Sequence, residues 1–193
     1  VTSNAAADSR QRIRKIGRAG GAALVLTGCL STLDPVALRS LPQVINIIPN
    51  DAKDDLVEMV LRDKRIKNTH IAENAVGGSL RTRTFIKVQD GCDNQCTYCI
   101  TRIARGPGRS VPAETVLEEI NLALGAGVKE IVLTGVHLGS WGKDMTPRAT
   151  LKNLIRSILD RTDIQRLRLS SLEPWDLDGE FFRLWEDNRL CPH

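Results

Sequence analysis

Three cysteines fall within eight residues, at Cys92, Cys96 and Cys99, in the spacing CxxxCxxC. Three thiolates on one short loop suit an iron–sulfur cluster, because the irons of such clusters are held by cysteine sulfur. A cubane cluster has four irons, so three protein ligands leave one iron free to take a substrate or a cofactor. The spacing therefore predicts a cluster with one open iron.

Zinc is the main competitor for these thiolates. A structural zinc site takes four protein ligands, usually as two separated pairs. The fourth ligand would have to be Cys29, Cys191 or a histidine far away in the sequence. A cluster fits the spacing better, and zinc or a purely structural role for the cysteines stands as the alternative.

The elements around this loop predict the beginning of a TIM-type barrel. A strand over 84–88 precedes the cysteines, and an amphipathic helix follows over 112–124. The next elements are predicted as a strand over 130–134, a glycine-bearing loop over 135–142, a helix over 151–161, a strand over 166–170 and a helix over 178–188. Three strand–helix units in series open such a barrel, and a full barrel needs about 250 residues. The barrel predicted here is therefore partial.

The earlier part of the chain predicts a separate, partial open α/β domain over 1–62. Mostly apolar strands at 22–27 and 44–48 alternate with helices at 8–19, 35–39 and 51–61, as in a parallel sheet covered on both faces. Residues 63–83 lack periodicity and are predicted to form a linker. The barrel segment then occupies 84–193.

Composition excludes several classes of protein. The chain has 193 residues, 41% hydrophobic and 26% charged, which argues against a disordered tail, a coiled coil or a collagen-like repeat. The longest apolar run, 22–26, is far shorter than the roughly 20 residues of a membrane span, and no signal peptide is apparent. Five cysteines, an odd number, indicate a reducing cytosol. Because the chain lacks an initial Met and stops after an amphipathic stretch, we expect it to be a fragment.

The net charge of +4 permits nucleic-acid binding without implying it. Basic residues form two groups, which we interpret as solvated helix faces in preference to nucleic-acid contacts. The groups are Arg10, Arg12, Arg14, Lys15 and Arg18, and Arg62, Lys64, Arg65 and Lys67.

Four stretches of the sequence resemble the radical S-adenosylmethionine (SAM) methylthiotransferases. They are LTGCL at 26–30, FIKVQDGCDNQCTYCITRIARGPGRS at 85–110, LTGVHLGSWG at 133–142 and RLSSLEP at 168–174. The resemblance covers almost the whole chain in the right order. Within the family, the second and third stretches are most similar to the branch that acts on threonylcarbamoyladenosine beside the tRNA anticodon. Near relatives act on isopentenyladenosine in tRNA or on an aspartate of a ribosomal protein.

This resemblance implies a [4Fe–4S] cluster on Cys92, Cys96 and Cys99 whose open iron takes the amino and carboxylate groups of SAM. One electron then cleaves the sulfonium to a 5′-deoxyadenosyl radical, which abstracts hydrogen from the adenine ring. The cofactor carries out the bond cleavage and the radical reaction, whereas the protein positions the reacting groups and excludes water. No separate catalytic side chain is assigned.

The resemblance also implies residues that contact the cofactor, each with a structural alternative. Tyr98 would pack beside its adenine or within its own loop, and Gly135 would approach its methionine portion or simply turn the chain. His137 would face the site or be an exposed loop residue. Ser171 and Glu173 would contact its ribose or amino group, although Glu173 could instead begin a helix. Arg105 and Arg109 would bind a phosphate or the cofactor carboxylate, or lie in solvated loops.

Cys29 alone is typical of a small buried residue at a strand end. In the family it matches the last of three cysteines that hold a second, auxiliary cluster, whose other two ligands are missing here. The full protein would thus carry two clusters and this chain one, without complete activity. Cys191 matches the start of a family strand and is expected to be structural.

The implied partners are the tRNA anticodon loop and an electron donor such as a flavodoxin or ferredoxin, with no membrane and a cytoplasmic location. A zinc-bound nucleic-acid-binding module is the alternative from another class. It predicts one zinc per chain and no SAM binding. The small number of aromatic residues, three Trp, one Tyr and three Phe, disfavours it, because few surfaces are available for base stacking.

Overall fold

The computed structural model of the protein describes residues 2–19, 23–62, 82–170 and 172–192. These residues form two compact units. The first contains the described residues up to 62 together with Asn94–Gly106, and the second contains those from 82 to 93 and from 107 onward. The domain boundaries at 62 and 84 stay a prediction, and residues 63–81 of the predicted linker lie outside the described residues.

The first unit is built around two parallel strands, in which Leu26 lies opposite Ile47. The strands are β1 (Leu24–Thr27) and β2 (Val44–Ile48). In chain order the helices are α1 (Ser3–Arg18), α2 (Cys29–Leu33), α3 (Pro35–Arg39), α4 (Leu56–Arg62) and α5 (Thr101–Arg105). Among the described residues of this unit, the fully buried apolar side chains include Leu38 and Ile48.

The second unit is larger, and its main sheet has three strands, whereas the sheet of the first unit has two. Its strands are β3 (Arg83–Lys87), β4 (Gln89–Asp90), β5 (Arg109–Ser110), β6 (Glu130–Thr134) and β7 (Arg166–Leu169). Its helices are α6 (Ala113–Gly125), α7 (Leu151–Arg161) and α8 (Gly179–Phe182). Strands β3, β6 and β7 form a parallel sheet in that order, and β4 pairs with β5 antiparallel. A single parallel bridge joins Leu167 of β7 to Leu190.

The main core forms where α6 and α7 pack on this sheet. Apolar residues three and four apart give each helix one apolar face. The buried positions include Val116, Leu117 and Ile120 of α6, and Leu154, Ile155 and Ile158 of α7. Parallel strands that follow one another along the chain with helices between them are βαβ units. The predicted α/β class with parallel sheets is confirmed.

Predicted and observed elements agree best where the apolar pattern is strong. The helices over 35–39 and 151–161 and the strands over 44–48 and 130–134 have the predicted bounds. Helix α1 begins five residues earlier than predicted, because Thr2 Oγ1 accepts a hydrogen bond from the Ala5 N–H at 3.2 Å and caps it.

Two predicted helices were wrong in part. The segment 51–61 divides into a 3₁₀ turn at Asn50–Ala52 and α4, since aspartates at 54 and 55 favour non-helical backbone. The segment 178–188 divides into α8 and a 3₁₀ turn at Arg183–Glu186. Its buried Phe181 and Leu184 are three apart, which suits either kind of turn.

No helix within the described residues combines the length and the apolar composition of a membrane span.

Arg83, Glu130 and Arg168 form a charged triad across the sheet, with Arg83 and Glu130 at the amino ends of β3 and β6. Glu130 has a side chain only 9% exposed, and its Oε1 lies 2.6 Å from Arg83 Nε and 3.0 Å from Arg168 Nε. Burial acts to raise the pKa of Glu130, but the hydrogen bonds and charges of the two arginines outweigh it, so the pKa is lowered. The carboxylate is therefore ionised in the folded protein well into the acid range.

Replacing Glu130 with glutamine should lower the free energy of unfolding at pH 7 by about 1–3 kcal/mol, because two arginines lose a charged acceptor. A lowered carboxyl pKa stabilises the fold above the unfolded value of roughly 4.3, and that stabilisation is lost as the pH falls through the folded value. Urea denaturation should thus show the difference between wild type and Glu130→Gln at pH 7 and a smaller difference toward pH 4 and below.

Glu114→Gln is the matched control. It removes an ion pair with Arg161 whose two side chains are both mostly exposed, and such pairs contribute little. Equal effects of the two variants at pH 7 would show that the buried triad does not stabilise the sheet.

Candidate functional site

The carboxyl ends of β3, β6 and β7 meet at one edge of the parallel sheet, where ligand sites form in α/β proteins. The segment after β3 leads through Gln89 to Cys92, that after β6 begins at Gly135, and that after β7 leads to Glu173. Most of the residues predicted to contact the cofactor follow one of these strands. The topology thus brings together three segments that are separate in sequence.

Cys92 lies in an irregular segment at the base of the cysteine loop. The β4–β5 pair, with Asp90 opposite Arg109, closes this base. Both carboxylate oxygens of Asp93 lie 3.3 Å from the Gly108 backbone N–H, which donates to them. The thiol of Cys92 is free and partly exposed.

Cys96 and Cys99 belong to the first unit and form the two ends of one turn, in which the Cys99 N–H donates to the Cys96 carbonyl at 3.1 Å. Both thiols are free and exposed, and Tyr98 between them is 95% exposed. Hydrogen bonds from the Thr101 side chain and backbone lower the pKa of Cys99, which favours its thiolate. The ring of Tyr98 does not pack within its own loop, so that alternative was wrong.

Within the described ranges, no three His, Cys, Asp or Glu side chains are grouped closely enough to hold a metal ion. The chemistry of the donors nonetheless fits an iron–sulfur cluster, which takes cysteine thiolates. All three thiols are free of disulfides, two are exposed, and one has a lowered pKa. The loop therefore provides suitable ligands.

Gly135 directly follows β6 and is closely approached by a buried side chain. A Cβ at this position would lie 3.0 Å from Gln89 Oε1, 3.1 Å from Gln89 Cβ and 3.3 Å from Leu138 Cα. Packing therefore favours glycine at this position, in addition to any approach of a cofactor. Its contact with the cofactor stays a prediction.

His137 is buried, at 6% exposure, so the alternative of an exposed loop histidine was wrong. Its Nε2 lies 2.8 Å from Asp176 Oδ2, and its backbone N–H donates to Gln89 Oε1 at 2.9 Å. The Asp176 side chain is 5% exposed. A buried carboxylate beside an imidazole fixes the orientation of the ring.

Glu173 is exposed and immediately precedes a 3₁₀ turn at Pro174–Asp176. It thus occupies the helix-start position that was its structural alternative, and its N–H donates to Asp176 Oδ2 at 3.4 Å. Ser171 lies outside the described residues.

The two predicted arginines lie in different elements. Arg105 is the last residue of α5 and is half-buried, whereas Arg109 is in β5 and is exposed. Helix α5 packs against α2 and is also held by Asn50, whose Nδ2 donates to the Ala104 carbonyl at 2.5 Å. Binding of the cofactor by Arg105 and Arg109 stays a prediction.

Cys29 is the first residue of α2 and is partly exposed. It lines a mostly apolar cavity of about 410 Å³ in the first unit, together with Leu26, Leu30 and Leu38. Cys191 follows Leu190 beside β7, and its N–H donates to the Leu167 carbonyl at 2.8 Å. This backbone pairing is consistent with the structural role expected of Cys191.

The basic residues of α1 are mostly exposed, as expected of a solvated helix face, and Arg10 lies 3.6 Å from Asp34. Of the second basic group, Arg62 is exposed and pairs with Glu58. Its other members, Lys64, Arg65 and Lys67, lie outside the described residues.

Sequence reasoning missed two buried polar residues at the strand ends, Gln89 and Asp176. Gln89 is 1% exposed although it is a polar residue directly after an apolar strand. A buried polar side chain needs hydrogen-bond partners, so its position just before the cysteine loop was an available signal. Asp176 gave a weaker signal, as an acidic residue three positions after Glu173.

The radical SAM superfamily model matches residues 86–174. Threonylcarbamoyladenosine tRNA methylthiotransferase MtaB of Thermotoga maritima is 40% identical over 182 residues, which cover 89% of this chain and 41% of that protein. MtaB of Rickettsia prowazekii is 31% identical over 206 residues, covering 100% and 48%. Ribosomal protein uS12 methylthiotransferase RimO of Protochlamydia amoebophila is 29% identical over 184 residues, covering 89% and 39%. The chain spans less than half the length of each of these relatives.

Proposed function

Because the chain belongs to the radical SAM methylthiotransferase family, we propose that it carries the SAM-binding part of an enzyme that inserts a methylthio group into tRNA. The observation that carries this proposal is the position of the three-cysteine motif. It begins directly after β4, beyond the carboxyl end of β3, within the segment matched by the superfamily model. Barrel enzymes build their active sites at that end of the strands.

The superfamily uses SAM and a [4Fe–4S] cluster, which when bound supply reductive cleavage of the SAM sulfonium and the radical that follows. This chain would supply Cys92, Cys96 and Cys99 as cluster ligands. The lowered pKa of Cys99 supports that role, because the thiolate is the form that binds metal.

The remaining residues would bind and orient the cofactor. The exposed ring of Tyr98 is available to pack on adenine, and we assign Gly135 to the methionine portion of the cofactor from the family pattern. Glu173, also exposed, would accept a hydrogen bond from an amino or hydroxyl group. We assign Ser171, Arg105 and Arg109 to the cofactor from the family pattern. His137 would support the site indirectly, since its ring is buried beside Asp176.

The proposed substrate is threonylcarbamoyladenosine next to the tRNA anticodon, since several relatives carry that name. The alternatives are isopentenyladenosine in tRNA and a ribosomal-protein aspartate, and the relative RimO supports the last. A tRNA substrate would place the protein in the cytoplasm, with a flavodoxin or ferredoxin as a suitable electron donor. Incubation of the full protein, which would carry both clusters, with each substrate and mass analysis of the product for an added methylthio group would distinguish them.

Anaerobic reconstitution with iron and sulfide tests the cofactor assignment. We expect a brown protein with about four irons per chain that cleaves SAM to 5′-deoxyadenosine when reduced with dithionite. One zinc per chain, no iron–thiolate absorption and no SAM binding would overturn the proposal and favour a zinc-bound nucleic-acid-binding module.

Cys29 is proposed as one ligand of an auxiliary cluster in the full protein, whose other two cysteines are absent from this sequence. Cys29→Ala should therefore leave the iron content of this chain at about four and its SAM cleavage unchanged, because the SAM-binding cluster uses three other cysteines. Iron analysis and the yield of 5′-deoxyadenosine measure this. Loss of the four irons in Cys29→Ala would assign Cys29 to the SAM-binding cluster instead.

A further inference from the structure

Gln89 lies between two of the segments that carry predicted cofactor residues. Its carboxamide is almost fully buried. The Oε1 accepts a hydrogen bond from the His137 backbone N–H at 2.9 Å, and the Nε2 donates to the Asp90 and Gly91 carbonyls at 3.0 and 2.9 Å. One side chain thus joins the segment after β6 to the backbone immediately before Cys92.

The orientation of this carboxamide follows from its partners. A reversed amide would place its NH₂ against the His137 N–H and its oxygen against two carbonyl oxygens. Both contacts would be repulsive, so only the observed orientation satisfies all three groups. The site therefore requires a side chain that accepts at one atom and donates twice at the other.

The hydrogen bonds continue from His137 to the segment after β7. The His137 Nε2 lies 2.8 Å from Asp176 Oδ2, which also accepts from the Glu173 N–H at 3.4 Å. A continuous set of hydrogen bonds therefore runs from Gly91 through Gln89 and His137 to Glu173. It links all three segments at the carboxyl ends of β3, β6 and β7.

Gly135 contributes to the same arrangement by packing. Its missing side chain leaves room for Gln89, whose Oε1 would be 3.0 Å from a Cβ at this position. A Cβ at 135 would require the Gln89 side chain to shift by a few tenths of an ångström, which strains its hydrogen bonds.

We propose that Gln89 is a positioning residue that sets the backbone immediately before Cys92, the Gly135 segment and the Glu173 segment relative to one another for SAM binding. The inference rests on the proposed function for its consequence, since SAM is the ligand that the three segments would share. The geometric part, that one buried amide couples the segments, does not depend on any cofactor.

Gln89→Glu is the decisive variant because it keeps the size of the side chain and changes only its hydrogen-bonding groups. One carboxylate oxygen can still accept from His137, but the other faces the Asp90 and Gly91 carbonyls that Gln89 serves as a donor. Gln165→Glu is the matched control. It makes the same chemical change at an exposed residue beside the amino end of β7.

Hydrogen–deuterium exchange of the protein before cofactor loading measures the coupling directly. In Gln89→Glu we expect the amide of Glu173, far from residue 89 along the chain, to exchange about tenfold faster than in wild type. Gly135→Ala provides a second variant, since its methyl group presses on Gln89 and should raise exchange of the amides in 90–93. If Glu173 in Gln89→Glu and 90–93 in Gly135→Ala exchange as in wild type, the coupling is absent and the inference is wrong.

Titration of the reconstituted proteins with SAM measures the consequence. We expect Gln89→Glu to keep about four irons, because its cysteines are intact, and to bind SAM about tenfold more weakly than Gln165→Glu. Equal SAM affinity in the two variants would overturn the positioning role. If wild type itself takes up no iron and binds no SAM, the proposed function fails, whereas the exchange measurements still decide the coupling.

Discussion

Cys96→Ala is expected to lose the cluster and all SAM cleavage, the largest single effect on activity in this chain. The motif has three cysteines, and a cubane cluster with one open iron needs a thiolate on each of its other three irons. The variant retains only two of these thiolates, so it cannot hold the cluster. After reconstitution the variant should be nearly colourless, with iron close to background. No 5′-deoxyadenosine should form above the level without protein.

Cys191→Ala is the control for this loss. Cys191 is also a free, partly exposed cysteine, but its observed contacts are a backbone pairing to Leu167 and a weak Sγ contact to the Arg189 carbonyl at 3.7 Å. It should retain the iron and the activity of wild type. If Cys96→Ala keeps four irons, or if Cys191→Ala loses them, the assignment of the cluster to the loop is wrong.

Gly139→Ala is expected to destabilise the fold strongly and to disrupt the His137–Asp176 contact. A Cβ at 139 would lie 2.1 Å from both Cγ and Oδ2 of Asp176, far inside van der Waals distance. The buried carboxylate must then move away from His137, which adds the loss of a hydrogen bond to the cost of overpacking. We expect the free energy of unfolding to fall by at least about 2 kcal/mol, measured by urea denaturation.

The control is the same substitution at Gly125, the last residue of α6, where a Cβ meets no atom within 4 Å. Alanine is the better helix former, so Gly125→Ala should be neutral or stabilising by up to about 1 kcal/mol. If Gly139→Ala unfolds at the same urea concentration as wild type, Asp176 can move without cost. The buried contact would then not contribute to the stability of the strand ends.

The two variants test different properties of the chain. The cysteine loop has exposed thiols at Cys96 and Cys99, whereas the hydrogen bonds through His137 and Asp176 are buried. Exposed ligands are accessible to incoming iron, and buried partners hold their segments in fixed positions. We therefore expect Cys96→Ala to remove the cofactor without unfolding the chain, and Gly139→Ala to alter the support of the site.

Spacing and periodicity in the sequence were sufficient for the class of fold and for the hypothesis of a cluster. Cys92, Cys96 and Cys99 are close along the chain, so a shared ligand is predicted from their spacing without knowledge of distant contacts. The apolar pattern of α7 and the continuous apolar strand β6 determined their bounds, because burial of one helix face or of both strand faces leaves a regular signal. A match to the radical SAM superfamily over 86–174 agrees with that interpretation.

The support of the site was decided by tertiary structure alone. Gln89, His137 and Asp176 are 48 and 39 residues apart along the chain, and no periodic pattern relates them. Their contacts exist because parallel pairing brings the carboxyl ends of β3, β6 and β7 to one edge, where buried polar groups must find partners in neighbouring segments. For the same reason, the sequence could not determine whether His137 faces the site or is an exposed loop residue. Burial of a single polar side chain depends on what packs over it, and that is a property of the folded chain.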